Sequence, residues 1–319
     1  MSGSRSAFSR RGFLATLLAL AGSVGGGPAR LLGAPRERFR LGIITDEVSR
    51  DPERAIAFVK DLKLNWVELR NVWGKHVIFL DRYERKELRD LLARYGVLVS
   101  NIAAPTYKTT FPGTSPVKKE KGEELRPKLD HEEVLWRAIE TAKYFNVPRF
   151  RVFTFWRVAE EERVRLLPEI QQVLHRAVKI AERNGLSIVV ENEHTTNVAS
   201  GAEMAEFIRR FDSPYIGVLW DPGNAVVAGD ESFREGYTKI PRGRIYHLHL
   251  KDVVRDQATG RYRWVQVGSG QVDFVGQFRA LYNDRFRGTL SLETHFHEPS
   301  RELASLESMK GVFRCIAQA

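Results

Sequence analysis

From Phe39 onward, short runs of β-branched and aromatic residues alternate with longer stretches whose apolar residues recur at helical spacing. Short apolar runs bounded by turn residues predict buried strands, and apolar residues three and four apart predict amphipathic helices. The eight predicted strands cover residues 39–45, 66–69, 97–102, 149–153, 186–191, 215–220, 245–250 and 289–293. A helical stretch follows each of them.

Local signals mark several helix boundaries. Asp51 precedes Pro52, a pair typical of an N-cap and a first helical turn. Gly96 follows the helical stretch 81–95 and is typical of a left-handed C-cap. Further helices are predicted over 130–145 and up to Asn184-Gly185. Every predicted strand is therefore separated from the next by helical sequence.

Strict alternation of strands and helices predicts a parallel sheet, because parallel neighbours need a crossover helix. Eight such units within residues 39–319 predict an α/β fold, a single (β/α)8 TIM barrel. An open doubly wound sheet is the alternative. Its glycine-rich phosphate turn is absent after the first strand, which continues into Thr45-Asp46-Glu47-Val48. The long stretch 103–129 is either a lid or a solvated insertion.

Composition and charge distinguish the N-terminus from the rest. The chain has 319 residues, 43% of them hydrophobic, and a formal net charge of +10, so disordered and fibrous classes are excluded. Residues 1–38 hold six of the 50 basic residues and one of the 40 acidic ones, a net +5 that leaves +5 for residues 39–319. That remainder is too modest to indicate a nucleic-acid partner.

The basic N-terminus resembles a twin-arginine export signal. Arg10-Arg11 precede a weakly apolar run over 15–24, shorter than the roughly 20 residues of a membrane span. We expect 1–38 to be signal peptide and linker, the Tat machinery to be a partner, and the protein to be periplasmic or otherwise exported, without a stable membrane span after cleavage. A basic tethering segment is the alternative. Cys315 is the only cysteine, so no intramolecular disulfide can form.

Polar residues end four consecutive predicted strands, where the reacting groups of such barrels lie. They are Glu191, Asp221, His249 and Glu293. Three converging carboxylates repel one another unless a cation joins them, so the pattern predicts one divalent metal ion. Oxygen ligands with one nitrogen suit Mn²⁺, Co²⁺, Mg²⁺ or Zn²⁺. Helix caps and surface ion pairs are the alternative interpretation.

Several motifs together resemble the sugar phosphate isomerase/epimerase superfamily, with its xylose isomerase-like TIM barrel. They lie at residues 190–192, 220–224, 247–252, 268–274 and 292–294. The resemblance covers nearly all of 39–319 and implies that Glu191, Asp221, His249 and Glu293 bind the metal. It favours His249 over His247 as the ligand, since the family uses the second histidine of this strand.

The resemblance also implies an activity, that of a divalent-metal-dependent sugar isomerase or epimerase. A metal-stabilised enediolate would form when the proton next to the carbonyl leaves, with Glu191 and Glu293 removing and returning it. Arg255 falls where the epimerases keep an arginine near substrate oxygen, and Lys251 could polarise a hydroxyl or carbonyl. A surface arginine and a salt-bridge lysine are the plainer interpretations.

The substrate contacts depart from those of ketose epimerases. Asn224 stands where they have a histidine, and Asn197 stands where they have a second glutamate. Glu193 and His194 could supply replacement chemistry. The residues predicted to contact the carbohydrate substrate are His247, Asn224, His194 and Trp156, the last because aromatic rings on the active face can pack against sugars.

Two other functions stay open. A metal-dependent eliminase or hydrolase of 3-keto-glycosides would use the same proton removal, and export favours it because sugar phosphates are intracellular. A periplasmic sugar-binding protein is the non-enzymatic alternative. Cleavage of DNA is disfavoured, since the second and third strands do not end in the histidines that a trinuclear site would need. A homo-oligomer is possible.

Overall fold

Eight parallel strands close into a barrel in the computed structural model, which describes residues 38–118, 130–230 and 233–319. Each strand pairs with the one before it, and the last pairs with the first. The predicted (β/α)8 TIM barrel is thus confirmed. The strands are β1 (Arg40–Ile44), β2 (Trp66–Leu69), β3 (Leu98–Thr106), β4 (Arg149–Val152), β5 (Ser187–Glu191), β6 (Ile216–Trp220), β7 (Ile245–Leu250) and β8 (Thr289–Leu292).

The helices follow the capping signals in the sequence. Asp51 accepts a hydrogen bond from the Glu53 amide, Asp81 forms a capping box with Glu84, and Gly96 is left-handed with φ 61°. These are the ends predicted for two of the helices. The helices are α1 (Thr45–Val48), α2 (Pro52–Asp61), α3 (Arg82–Tyr95), α4 (His131–Tyr144), α5 (Glu160–Arg183), α6 (Gly201–Ile208), α7 (Pro222–Val227), α8 (Phe233–Tyr237), α9 (Phe274–Asn283) and α10 (Arg301–Gln318).

Strand β3 extends four residues beyond its predicted end. Pro105 suggested a loop, but the β3–β4 register shifts between Ile102 and Thr106, and such an irregularity accommodates proline. Two hairpins were also not predicted. They pair Asn71–Val72 with Lys75–His76 and Asp252–Arg255 with Tyr262–Val265. Both follow barrel strands directly, so they lie on the face where the predicted site is.

Two predicted segments fall outside the described residues. The signal and linker over 1–38, except for Arg38, and residues 119–129 of the predicted long loop are in this group, so both remain predictions. Within the described ranges, no helix has the length and apolar character needed to cross a membrane.

The barrel strands carry both apolar and charged buried side chains. Ile43, Phe150 and Leu290 are fully buried, as expected for barrel strands. Glu68 and Arg151 are also buried, although their side chains are charged. Charged residues are rarely buried unless they are paired. Glu68 and Arg151 each pair with a residue that belongs to the predicted metal site.

Candidate active site

Four polar side chains converge at the C-terminal ends of β5 to β8. Glu191 ends β5, Asp221 and Glu293 directly follow β6 and β8, and His249 is the next-to-last residue of β7. All four are buried, and one ligand atom from each lies within 4.8 Å of the others. Nδ1 of His249 is 3.5 Å from Glu191 and 3.4 Å from Glu293. The fold therefore brings together all four residues predicted as metal ligands.

Two buried atoms of this cluster fit a cation. Nδ1 of His249 and Oδ2 of Asp221 lack a hydrogen-bond partner. Nζ of Lys251 lies 2.9 Å from Oδ2, but as an ion pair without hydrogen-bond geometry. Unpartnered buried polar atoms are costly, and three carboxylates with one imidazole are a suitable donor set for a divalent ion. The cluster is thus a possible metal site.

Glu68 orients His249 from behind. Its Oε2 lies 3.2 Å from Nε2 of His249, and its Oε1 accepts a hydrogen bond from Asn101 at 2.8 Å. With Nε2 directed at Glu68, Nδ1 faces the cluster. A carboxylate behind a histidine is a common support for a metal ligand. Burial alone would raise the pKa of Glu68, but His247 and His249 hold it well below its ordinary value.

His247 lies one layer deeper than predicted for a substrate contact. Its Nε2 is 2.7 Å from Oε2 of Glu68, and its Nδ1 is 2.7 Å from Oγ1 of Thr289. Both ring nitrogens are therefore occupied inside the barrel, and the side chain is fully buried. Its contacts indicate a support for Glu68, which corrects the expected contact with substrate.

Glu293 is held between two cations. Nη1 of Arg70 donates to its Oε1 at 2.7 Å, and Nζ of Lys251 donates to its Oε2 at 2.8 Å. Arg70 also binds Asp46 and Glu47, which follow β1. Burial would raise the pKa of Glu293, but Lys251 and the nearby histidines keep it well below its usual range.

Glu191 accepts hydrogen bonds from one cationic side chain and from one neutral side-chain amide. Nη1 of Arg151 donates to its Oε2 at 2.9 Å, and Nδ2 of Asn224 donates to its Oε1 at 3.2 Å. Arg151 also donates to the carbonyls of Ala103 and Ala104, in the irregular part of β3. Burial opposes ionisation, but Arg151 and His249 still lower the pKa of Glu191.

The turn after β6 fixes Asp221. Its Oδ1 accepts a hydrogen bond from the backbone N–H of Asn224 at 2.8 Å, so Asp221 caps α7. A Cβ on Gly223 would lie 2.4 Å from the Lys251 carbonyl, so only glycine allows this turn to pack on β7. Burial raises the pKa of Asp221 to about 6.

Glu193 and His194 form a pair beside the cluster. Nδ1 of His194 is 2.7 Å from Oε1 of Glu193 and 3.2 Å from Oδ1 of Asn224. Lys108 lies 3.4 Å from the other carboxylate oxygen of Glu193. Burial would lower the pKa of His194, but the bond to Glu193 outweighs it and raises the pKa. Glu193 is buried, whereas the His194 side chain keeps 29% of its surface exposed.

Trp264 lies beside three side chains of the site. It belongs to the second hairpin, and its ring centroid is 6.2 Å from that of His194 and 5.3 Å from that of His295. Nζ of Lys251 lies 4.8 Å from the same ring, within cation–π range. Lys251 is therefore in the site as predicted, between two carboxylates and an aromatic ring.

Arg255 and Trp156 lie apart from the cluster. Arg255 is exposed, and its side chain contacts the Gly260 carbonyl and the Tyr262 ring within its own hairpin. Trp156 follows β4 and is fully buried, and its Nε1 has no hydrogen-bond partner. The structure brings neither into contact with the four clustered residues. Their predicted roles remain predictions.

Sequence reasoning missed the residues that hold the glutamates in place. Glu68, Arg70 and Arg151 lie in or directly after short strands, and all three contact the cluster or its supports. The available signal was a charged residue inside a short apolar run, which must be paired if the strand is buried.

A comparison with known proteins identifies a matching family. The family model described as xylose isomerase-like TIM barrel matches residues 56–314. The solved structure of the IOLI protein with a zinc atom has a TM-score of 0.69 at 15% identity, covering 88% of this chain and 99% of that one. At this identity the likeness concerns the fold.

Two curated proteins are similar over part of their length. Inosose dehydratase from Bacillus thuringiensis (strain Al Hakam) is 29% identical over 133 residues, 38% of this chain and 44% of that protein. The putative L-ribulose-5-phosphate 3-epimerase SgbU from Escherichia coli (strain K12) is 28% identical over 163 residues, 50% of this chain and 56% of that protein. The match thus spans about half the length of each.

Proposed function

The chain belongs to the xylose isomerase-like TIM barrel family, and from this membership and the site geometry we propose that it is a divalent-metal-dependent sugar isomerase or epimerase. One observation carries the proposal. Two glutamates, Glu191 and Glu293, each lie within 3.5 Å of Nδ1 of His249 in a buried cluster of candidate metal ligands. Binding a sugar does not require two such groups, which disfavours a sugar-binding protein without turnover.

The residues divide the chemistry among them. A divalent cation held by Glu191, Asp221, His249 and Glu293 would stabilise negative charge on substrate oxygen. Glu191 or Glu293 removes the proton next to the carbonyl, and the other returns a proton from the opposite side. Lys251 keeps its positive charge between Asp221 and Glu293, where it limits their repulsion.

The similar curated proteins support carbohydrate chemistry. One is a putative 3-epimerase of a ketose phosphate, and the other is an inosose dehydratase. Asn224 replaces the histidine of ketose epimerases and is buried against Glu191, so the substrate contacts differ at that point. A carbohydrate other than the usual ketose therefore fits this chain better.

Metal analysis and isotope exchange test the proposal together. Purified protein is assayed for bound metal and incubated in D₂O with free sugars, keto-sugars and 3-keto-glycosides. We expect about one divalent ion per chain and deuterium at the carbon next to the carbonyl. Metal-free protein that takes up no divalent ion, or loaded protein that exchanges no substrate, would contradict it.

A second candidate is an eliminase or hydrolase of 3-keto-glycosides. The observation that favours it is the Glu193–His194 pair, which adds an acid–base group beside the two glutamates. Loss of a glycosidic oxygen begins with the same proton removal. Released aglycone in the incubation above distinguishes this function from epimerisation.

Export is part of the proposed function. Arg10-Arg11 before an apolar run supports the twin-arginine route to the periplasm. The double substitution Arg10→Lys and Arg11→Lys should leave the protein in the cytoplasmic fraction. Unchanged export of that variant would contradict the proposal, and conversion of Arg36 and Arg38 to lysine is the matched control.

A further inference from the structure

We propose that His194 donates a proton to an oxygen that leaves from the carbon β to the substrate carbonyl, with Glu193 as its positioning residue. The inference rests on the proposed function, because the same proton removal by Glu191 or Glu293 must come first. It adds C–O bond cleavage to the chemistry of the site. It also names the substrate class as keto-sugars with an oxygen substituent at that β carbon.

The hydrogen bonds fix which ring nitrogen is available. Nδ2 of Asn224 donates to Glu191, so Oδ1 of Asn224 faces His194 as an acceptor. Oε1 of Glu193 is the second acceptor near the same Nδ1. Nδ1 therefore carries a hydrogen, and Nε2 is the atom that can exchange a proton with a ligand. Among the described residues, Nε2 has no hydrogen-bond partner.

The location suits a group that acts on the substrate rim. A single amide side chain, Asn224, lies between His194 and Glu191. Trp264 flanks the imidazole, and part of the imidazole surface is exposed, whereas all four clustered residues are buried. The imidazole thus lies next to the proton-transfer groups but outside the ligand set.

The surrounding charges favour the protonated imidazole. Glu193 is buried, and its carboxylate lies beside Nζ of Lys108 as well as Nδ1 of His194. Its negative charge stabilises the imidazolium, against the opposing positive charge of Lys251. A buried carboxylate that holds one nitrogen of a partly exposed histidine orients the other nitrogen for proton transfer.

The chemistry explains why a third group is present. Epimerisation needs one base and one acid, and Glu191 and Glu293 suffice for both. Elimination needs its acid beside the departing oxygen and not beside the α carbon, so the proton donor must lie at a different point along the substrate. One glutamate takes the α proton, the C–H electron pair forms the C=C bond, and the C–O pair stays on the leaving oxygen, which takes the proton from Nε2 of His194. The products are an unsaturated keto-sugar and water or an alcohol, so no oxidant is consumed.

Leaving-group dependence tests this role. The substitutions are His194→Gln and Glu193→Gln, with His175→Gln on the exposed face of α5 as the matched control. Each protein is given 3-keto-glucosides with a methyl or a p-nitrophenyl leaving group, and a free 3-keto-sugar that can lose only water. A nitrophenolate leaves without a proton, whereas methanol and water do not.

We expect both substitutions to slow release of methanol, of water, or of both by about 10²-fold or more, within the range of general acid catalysis. Release of nitrophenol and α-deuterium exchange should each fall by less than about tenfold, and bound metal should match the parent. The methyl glycoside and the free sugar separate an alcohol from water as the natural leaving group. His175→Gln should change none of these rates.

Three results would overturn the inference. Equal losses on the methyl and nitrophenyl substrates would show that His194 protonates neither oxygen. α-Deuterium exchange by the parent without any C–O cleavage would reject this inference while leaving the proposed function standing. No exchange by the metal-loaded parent would reject the proposed function and this inference with it.

Discussion

The two glutamates of the site differ in what holds them. Glu293 has a full positive charge on each oxygen, from Arg70 and Lys251. Glu191 has Arg151 on one oxygen and the neutral Asn224 amide on the other. One more unit charge at about 3 Å is worth on the order of 5 kcal/mol at an effective dielectric of about 20, before desolvation is subtracted. The comparison indicates that Glu191 is the stronger proton acceptor.

The surroundings extend this difference. Arg70 ties Glu293 to Asp46 and Glu47, so that side is a closed network of ion pairs. The Glu191 side continues through Asn224 to the partly exposed His194. One side is therefore built to hold an anion in place, and the other side leads to groups that can exchange protons.

The largest expected effect comes from removing each carboxylate in turn. Glu191→Gln and Glu293→Gln should each lower turnover by about 10³-fold, with the larger loss for Glu191→Gln because Glu191 is the better base. Deuterium exchange next to the carbonyl, followed from each epimer separately, is the measurement. A larger loss of exchange for Glu293→Gln would reverse the assignment.

Removing the arginines compares the two sides by stability. Arg70→Met leaves three carboxylates without this partner, and Arg151→Met leaves one. Breaking a buried pair costs about 3–5 kcal/mol, so both should lower the free energy of unfolding, Arg70→Met more.

Urea unfolding in the presence of a chelator measures this difference. Arg54→Met is the control, since Arg54 pairs with Glu302 at the surface and such pairs are worth about 1 kcal/mol or less. If the Arg70→Met and Arg54→Met proteins were equally stable, the ion pairs of Arg70 with Glu293 and its neighbours would not contribute to the free energy of unfolding.

Lys251 provides an intermediate test. Its ammonium lies against Asp221 and Glu293, so it competes electrostatically with a divalent ion in the same cluster. Lys251→Met should therefore tighten metal binding by about tenfold, equivalent to about 1.4 kcal/mol. Isothermal titration with Mn²⁺ or Zn²⁺ checks the direction. Weaker binding would show that Lys251 supports the ligands more than it opposes the metal.

The smallest effect is expected at His295. It flanks Trp264, as His194 does, but its Nδ1 faces Glu47 at 3.4 Å and lies 3.9 Å from Glu293. His295→Gln should change turnover by less than about fivefold, since His295 faces the side that holds an anion. A loss as large as that of His194→Gln, with the same leaving-group dependence, would remove the distinction between the two sides.

The sequence predicted the four clustered residues because barrel topology brings strand ends together without any need to know side-chain directions. Glu191 and Asp221 could be placed because each lies at the end of a short apolar run. The supports could not, since the contacts of Arg70 with Glu293 and of Arg151 with the β3 carbonyls depend on how the barrel closes. The way in which the barrel closes is not visible in any short stretch of the sequence.

His247 illustrates a different limit. Residues two apart on a strand share a face, which correctly placed both histidines on the inside of the barrel. They nevertheless occupy successive layers, so His249 reaches the cluster and His247 lies below it against Thr289. Strand β3 shows a third limit, because Pro105 is a loop signal that an irregular register can override.

Deuterium exchange in metal-depleted and reconstituted protein shows whether Glu191 removes the proton next to the carbonyl and whether that step needs the metal. The hydrogen next to the carbonyl of a 3-keto-sugar is followed by NMR in D₂O, for the parent and for Glu191→Gln. We expect exchange only by the reconstituted parent, with loss on chelation and a loss of about 10³-fold in the variant. Exchange that survives both chelation and the Glu191→Gln substitution would contradict it.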